Sequence, residues 1–232
     1  LSNGSLNKGT ENGFLLSNND CWQDKGNFVV DEDNFVSSIE NQATNLLSQG
    51  YKLLCLGGDH SITYPLIRAY AKYYDALTIL HFDAHTDLYD EFKGNKLSNA
   101  CPFARIMEQN LIQELHQLGI RTLNDHQRQQ AVKFNVNVIE MKDWHIGELP
   151  KLTGPVYVSL DIDAIDPAFA PGVSHREPGG FSSREIINLL HKIDANVVGF
   201  DIVEYNPDKD IDDLTAYLAA KLVKEAAGKM LE

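Results

Sequence analysis

Apolar and polar positions along the 232-residue chain fall into two alternating periods. Short, mostly apolar runs occur at Tyr51–Gly57 (YKLLCLG), Leu77–Asp83 (LTILHFD), Leu118–Leu123, Val136–Glu140, Pro155–Asp161 (PVYVSLD) and Val197–Val203. Several lack polar alternation, as expected of strands covered on both faces. Segments of helical period lie between them: Phe35–Gln49, closed by Gly50 as a C-cap, Ile62–Tyr74, opened by Ser61 as an N-cap, Phe103–Leu118, Gln127–Phe134 and Arg184–Ile193. Ser182-Ser183-Arg184-Glu185 reads as a capping box opening the last of these. A final helix over Asp213–Leu231 carries Leu214, Leu218 and Leu222 on one stripe. Strands alternating with helices predict βαβ units with right-handed crossovers, hence an α/β fold of three layers, α/β/α, with a mainly parallel central sheet. Residues 1–33 are different, rich in Asn, Gly and Ser with little period, and are expected to be a loop-rich surface segment. The chain opens on Leu1 rather than Met, which suggests a processed or truncated start.

Composition narrows the class. With 43% hydrophobic residues the chain suits one compact domain with a buried core. No apolar run reaches the roughly 18 residues that a membrane helix needs, and no signal sequence is visible. The expected protein is soluble and cytoplasmic, with no membrane partner. Cys21, Cys55 and Cys101 are an odd number in a chain this large, so reduced thiols are expected over a disulfide framework. A net charge of −13 argues against nucleic acid as a partner. It leaves two readings open, a solvated acidic surface and carboxylates that bind cations.

Three acidic clusters end predicted strands, the edge of a parallel sheet where ligands bind. Gly57-Gly58-Asp59-His60-Ser61 permits a tight turn that presents His60, although such a turn is usually only a connection. Asp83-Ala84-His85-Thr86-Asp87 brings three potential ligands to one strand end, where carboxylates and an imidazole are costly to bury without a positive charge among them. Asp161-Ile162-Asp163 sets two carboxylates side by side on extended backbone, which raises one pKa sharply unless a cation lies between them. Asp166, before Pro167, has two readings, a bond to its own loop or to a metal, and is left outside the ligand set. Four carboxylates with two imidazoles suit divalent ions such as Mn²⁺; structural zinc favours cysteines, and calcium sites lack histidine. Two such ions about 3.5–4 Å apart share and acidify a water, so the residues predict metal-activated hydrolysis.

Taken in order, GGDHS, DAHTD and SLDIDAIDP resemble the signature of the ureohydrolase (arginase/agmatinase) family. The resemblance runs from about Leu54 to the C-terminus. LSNACPFARIME, APGVSHREPGG and GFDIVEYNP are most similar to the plant-type branch. It implies an arginase-like fold, a homo-oligomer (trimer or hexamer) and two Mn²⁺ ions. One ion would be held by His60, Asp83, Asp87 and Asp161, the other by His85, Asp83, Asp161 and Asp163. It also implies a small guanidino substrate bound by Glu204, with Asp163 assisting proton transfer.

Two departures from the family pattern stand out. Asn99 occupies the place of a histidine that shuttles protons or contacts substrate. Asn cannot exchange protons near neutral pH, so turnover is weakened or His175 takes over; His175 is equally readable as a surface-loop residue. The family's leading strand and Gly-rich substrate loop are not found, and residues 1–33 are read as what remains of them. For the substrate, Tyr89, Asp90 and Glu91 make an acidic, aromatic entrance with no evident partner for a carboxylate, which predicts agmatine over L-arginine. Plant-type arginase activity is the alternative. A catalytically impaired paralogue, on account of Asn99, and a dinuclear phosphoesterase, disfavoured by Glu204 and the acidic mouth, are the rivals.

Overall fold

A computed structural model describes residues 9–16, 21–145 and 147–232. Of the segment expected to be loop-rich, residues 1–8 and 17–20 lie outside the described residues. Its described part carries one isolated bridge, Gly9 to Leu15, and a single 3-10 turn at Glu32–Asn34.

Six strands, β1 (Leu53–Leu56), β2 (Thr78–Phe82), β3 (Glu114–Ile120), β4 (Asn137–Glu140), β5 (Pro155–Asp161) and β6 (Asn196–Val203), form one sheet. Their order is β1-β6-β5-β2-β3-β4, and every pairing is parallel. The helices are α1 (Phe35–Ser48), α2 (Thr63–Tyr70), α3 (Pro102–Glu108), α4 (Asp125–Lys133), α5 (Ser183–Lys192) and α6 (Leu214–Leu231). This is the three-layer α/β arrangement expected from the alternating periods.

Side-chain parity along the strands builds two apolar layers. Leu80, Phe82, Val156, Val158, Leu160, Phe200 and Ile202 pack with Ile186, Leu190, Leu222 and Ala226 of α5 and α6. Ile79, Tyr157 and Val198 face the other way, against Ile39, Ala43 and Leu47 of α1 and Ile67 and Tyr70 of α2. A fully buried side chain such as Phe82 contributes about 1.5–3 kcal/mol to that core.

Local signals explain most boundaries. Ser182 and Glu185 make the reciprocal capping box at α5, and Asn124 with Gln127 makes another at α4. Gly50 takes a positive φ of 85° just beyond α1, donating its N–H to the Leu47 carbonyl.

Four expectations are corrected. The helix expected over Phe103–Leu118 stops at Glu108, because Asn110 turns left-handed at φ 51°. Glu114–Ile120 is then a strand, where Leu118–Leu123 was expected. Its Glu, His and Gln look helical in the sequence, yet the strand is sandwiched between β2 and β4, and that overrides propensity. Ser61 does not cap a helix: Asp59 caps a 3-10 turn at His60–Ile62, and α2 follows it. On α6, Leu222 is buried but Leu214, in its first turn, is exposed.

The order places β5 and β6 between β1 and β2. The chain therefore reverses its direction of travel across the sheet there, and the crevice at the carboxyl ends of these strands is the expected ligand site.

Candidate metal centre

Strand register brings the acidic clusters together. Phe82 pairs with Leu160 across β2 and β5, so the next residues, Asp83 and Asp161, leave adjacent strands side by side, about 4.8 Å apart. On the far side, β1 pairs with β6, Gly57 N–H donates to the Ile202 carbonyl and Glu204 N–H to that of Gly58. That pairing seats His60 and Glu204 on the same rim. Gly119 is needed at φ 96°, because a Cβ there would lie 2.9 Å from the Asp83 carbonyl and 2.8 Å from the Phe181 ring.

The six expected ligands converge. His60 Nδ1 lies 3.0 Å from Asp87 Oδ2, 3.2 Å from Asp83 Oδ2 and 3.4 Å from Asp161 Oδ2. His85 Nδ1 lies 3.0 Å from Asp163 Oδ2 and 3.3 Å from Asp83 Oδ1. All but His85 are buried. Backbone amides hold the carboxylates: His85 N–H donates to Asp83 Oδ1 (2.6 Å), Asp163 N–H to Asp161 Oδ1 (2.7 Å) and Ala84 N–H to Asp163 Oδ1 (3.1 Å). Asp87 sits at φ 48° and Glu204 at φ 65°, both in the left-handed region.

A cation fits this cluster on one specific observation. His60 Nδ1 is fully buried and faces three carboxylates, yet it is in hydrogen-bonding geometry with none of them. Its other nitrogen, Nε2, lies 2.9 Å from Ser159 Oγ, which donates to Asp201 Oδ1 at 2.7 Å. With that hydroxyl proton spent on Asp201, Ser159 accepts from His60 Nε2–H, and Nδ1 is left as a bare lone pair. Such an arrangement is typical of a metal-ligating imidazole.

Electrostatics say the same. Burial, then the charges of Asp163 and Asp83, push Asp161 well above the usual carboxylate range. Burial and the Asp83 charge push Asp87 up to about 7 and Asp163 up to about 6. Burial opposes charge on His85, but Asp163 and Asp83 outweigh it and carry the imidazole to about 12. The chain alone thus pulls protons into the site, and a divalent ion supplies that positive charge instead.

The remaining expected residues surround the cluster. Glu204 Oε1 accepts from His60 N–H (3.0 Å) and from Asn99 Nδ2 (3.4 Å). His175 is exposed, with its ring edge-on to His85 at 5.9 Å. Asp166 anchors its own loop, accepting from the N–H groups of Ala168, Gly179 and Gly180. His81, Gln117, Ser159 and Asp201, outside the expected ligand set, are all wholly buried around the site. Their signal was present in part: each interrupts a strand, and Ser159 shares the parity of Tyr157, while Asp201 pairs with Ser159 across β5 and β6. Burial pushes His81 down to about 4 and raises Asp201 above the usual carboxylate range.

A parallel α/β sheet bearing a buried carboxylate–imidazole cluster at its carboxyl edge is suited to a divalent metal. Residues 9–228 match the Arginase family. "Arginase 1, mitochondrial" of Arabidopsis thaliana is 45% identical over 98% of this chain and 72% of that protein. An agmatinase of Neisseria meningitidis is 38% identical over 84% of this chain and 65% of its own length. Arginase from Medicago truncatula superposes with a TM-score of 0.90 at 39% identity, over 97% of this chain and 77% of that one. The chain belongs to the arginase family, the ureohydrolases that act on the C–N bonds of small guanidino compounds. The expected cytoplasmic location is overturned, since plant relatives are named mitochondrial or chloroplastic/mitochondrial. No helix among the described residues is long and apolar enough to cross a membrane, which leaves the compartment open.

Proposed function

We propose that the chain is a manganese-dependent arginase, hydrolysing L-arginine to urea and the amine left behind. The observation that carries this reading is Asp83, whose two oxygens lie 3.2 and 3.3 Å from the Nδ1 atoms of His60 and His85. A carboxylate shared between two imidazole-led clusters suits a pair of ions. His60, Asp83, Asp87 and Asp161 would hold one, and His85, Asp83, Asp161 and Asp163 the other. Bound there, Mn²⁺ would supply positive charge that acidifies a water and offsets the negative charge on its oxygen.

The chain's own groups do the rest. Glu204, already oriented by His60 N–H, accepts from the guanidinium and fixes its carbon over the cluster. The Asp163 carboxylate takes a proton from the attacking water and passes it to the departing amine. Ala84 N–H keeps one oxygen of that carboxyl in place.

L-Arginine is preferred here to agmatine on two grounds. The plant arginase is more similar than the agmatinase, at 45% against 38% identity. The acidic entrance that favoured agmatine is also partly engaged: Asp90 Oδ1 lies 3.0 Å from His126 Nε2 and accepts from Glu91 N–H, and Tyr89 Oη accepts from Asn124.

The second reading, a catalytically weakened family member, is favoured by Asn99, which donates to Glu204 but cannot shuttle a proton. Urea release should be measured with Mn²⁺ on L-arginine, agmatine and guanidinobutyrate, for the wild type and Asn99→His. Arginine leading in both proteins supports the proposal, and agmatine leading reverses the substrate. Silence of the wild type with activity in Asn99→His supports the weakened reading; silence of both removes the catalytic one. One ureohydrolase domain assembled as a homo-oligomer, trimer or hexamer, completes the proposal, and light scattering tests its assembly.

A further inference from the structure

Resting on the metal centre just proposed, we infer that His81 and Gln117 form a buried relay that positions Asp83 to bridge two ions, and that His81 is not itself a ligand. His81, His60 and Asp83 lie close enough to hold an ion between them, so proximity alone would add His81 to the ligand set. Its two ring nitrogens are nevertheless both engaged in hydrogen bonds.

The Thr86 carbonyl can only accept, and Gln117 approaches it at 2.7 Å through Nε2. That contact fixes which end of the Gln117 amide faces the site. The same nitrogen lies 3.0 Å from His81 Nδ1, so its second hydrogen is donated there, and Nδ1 is an acceptor. His81 then carries its proton on Nε2, which lies 2.9 Å from Asp83 Oδ2. The imidazole is a neutral donor with both nitrogens engaged, and no lone pair remains for a metal. The Phe103 ring lies against it at 4.1 Å and helps fix its plane. Asp83 is therefore held through both oxygens, Oδ1 by His85 N–H and Oδ2 by His81.

Gln117 also ties two parts of the centre together. It stands on β3, beside β2 in the sheet, and clamps the DAHTD loop through Thr86 while orienting the ring that orients Asp83. His81 and Gln117 are positioning residues: they act through Asp83 and touch neither substrate nor reacting atoms.

The test is Mn²⁺ titration by calorimetry with electron paramagnetic resonance, on wild type, His81→Phe, His81→Gln and Gln117→Leu. Wild type should bind a pair of ions and give the spectrum of spin-coupled manganese; if it does not, the metal centre itself is wrong. His81→Phe keeps a ring beside Phe103 but has no donor, and should bind about 10–100-fold more weakly. At equal metal it should show uncoupled manganese. His81→Gln restores an N–H and should recover part of that loss. Gln117→Leu, more remote from the ions, should weaken binding in the same direction and guards against His81→Phe failing to fold. A folded His81→Phe with wild-type affinity and coupling overturns the inference. So does one that loses a whole ion at saturating Mn²⁺ while the other binds normally, because His81 would then be a ligand. A merely structural role would lower the melting temperature of the metal-free protein and leave the coupled spectrum intact.

Discussion

At the scale of the residue, Asp83 is the most constrained carboxylate of the centre. Burial opposes its charge, but the hydrogen bonds it accepts from His85 N–H and His81 Nε2 engage both of its oxygens. Asp161 is its neighbour across β2 and β5, raised by the same burial and by two like charges. Removing either should affect both ions, so Asp83→Ala and Asp161→Ala are expected to lose nearly all bound manganese by elemental analysis. His60→Ala should weaken one ion only; equal partial loss in all three would contradict the sharing. Asn99 lies in hydrogen-bond range of Glu204 and has no proton to give near neutral pH. Positioned proton transfer contributes about 10²–10⁴-fold. Asn99→His should therefore raise kcat by about tenfold or more, with little change in KM, in steady-state urea assays. An unchanged kcat would mean that another group carries the proton.

At the scale of the element, the segment over residues 9–16 is fastened to α5 and α6 by charge. Glu11 pairs with Arg184 at 2.6 Å and Lys221 at 3.0 Å, and its N–H donates to the buried Glu225 carboxylate. Glu225 also pairs with Lys221 and with His191. Hydrogen bonds from Arg184, then Lys221, hold Glu11 down to about 2. Glu225 is lowered too, Lys221 and His191 overcoming its burial. A carboxylate whose folded pKa is depressed stabilises the fold above its unfolded value, about 4.3. That stability is lost as pH falls from there toward 2. The segment should accordingly gain amide exchange below about pH 4.3, and Glu225→Gln should reproduce part of the effect at neutral pH. Solvent screening limits the Glu11 share to about 1 kcal/mol. Exchange that does not vary with acid would assign the fastening to Thr10 packed over Gly228. On β3, Gly119→Ala would force a left-handed alanine against the Asp83 carbonyl. A cost of about 1–3 kcal/mol is expected by urea denaturation, with weaker manganese binding.

At the scale of the molecule, metal and fold are linked, because the unfolded chain has no clustered site. One ion at a hundred times its Kd adds about 2.7 kcal/mol, or about 5–10 °C in Tm for a domain of this size. Chelation of the loaded protein should lower Tm by at least that much. An unchanged Tm would mean that the cluster binds weakly or not at all. Much of this architecture was legible beforehand. Apolar runs such as LTILHFD and PVYVSLD predicted buried parallel strands, and carboxylates at their ends predicted a cation, because both follow from local period and from the cost of burying like charges. Spacing within one segment likewise pointed to His85 beside Asp83 and to Asp163 beside Asp161. Which segments meet was another matter. That Asp83 lies beside Asp161, and that Glu204 shares a rim with His60, depends on β5 and β6 inserting between β1 and β2, and strand order is a long-range choice that no local pattern encodes. Glu114–Ile120 looked helical for the same reason: its polar residues are paid for only by partners elsewhere in the sheet. Ser159, Asp201, His81 and Gln117 are ordinary polar residues in sequence. Tertiary packing alone gives each its fixed partners, and so turns separate side chains into a site of defined geometry.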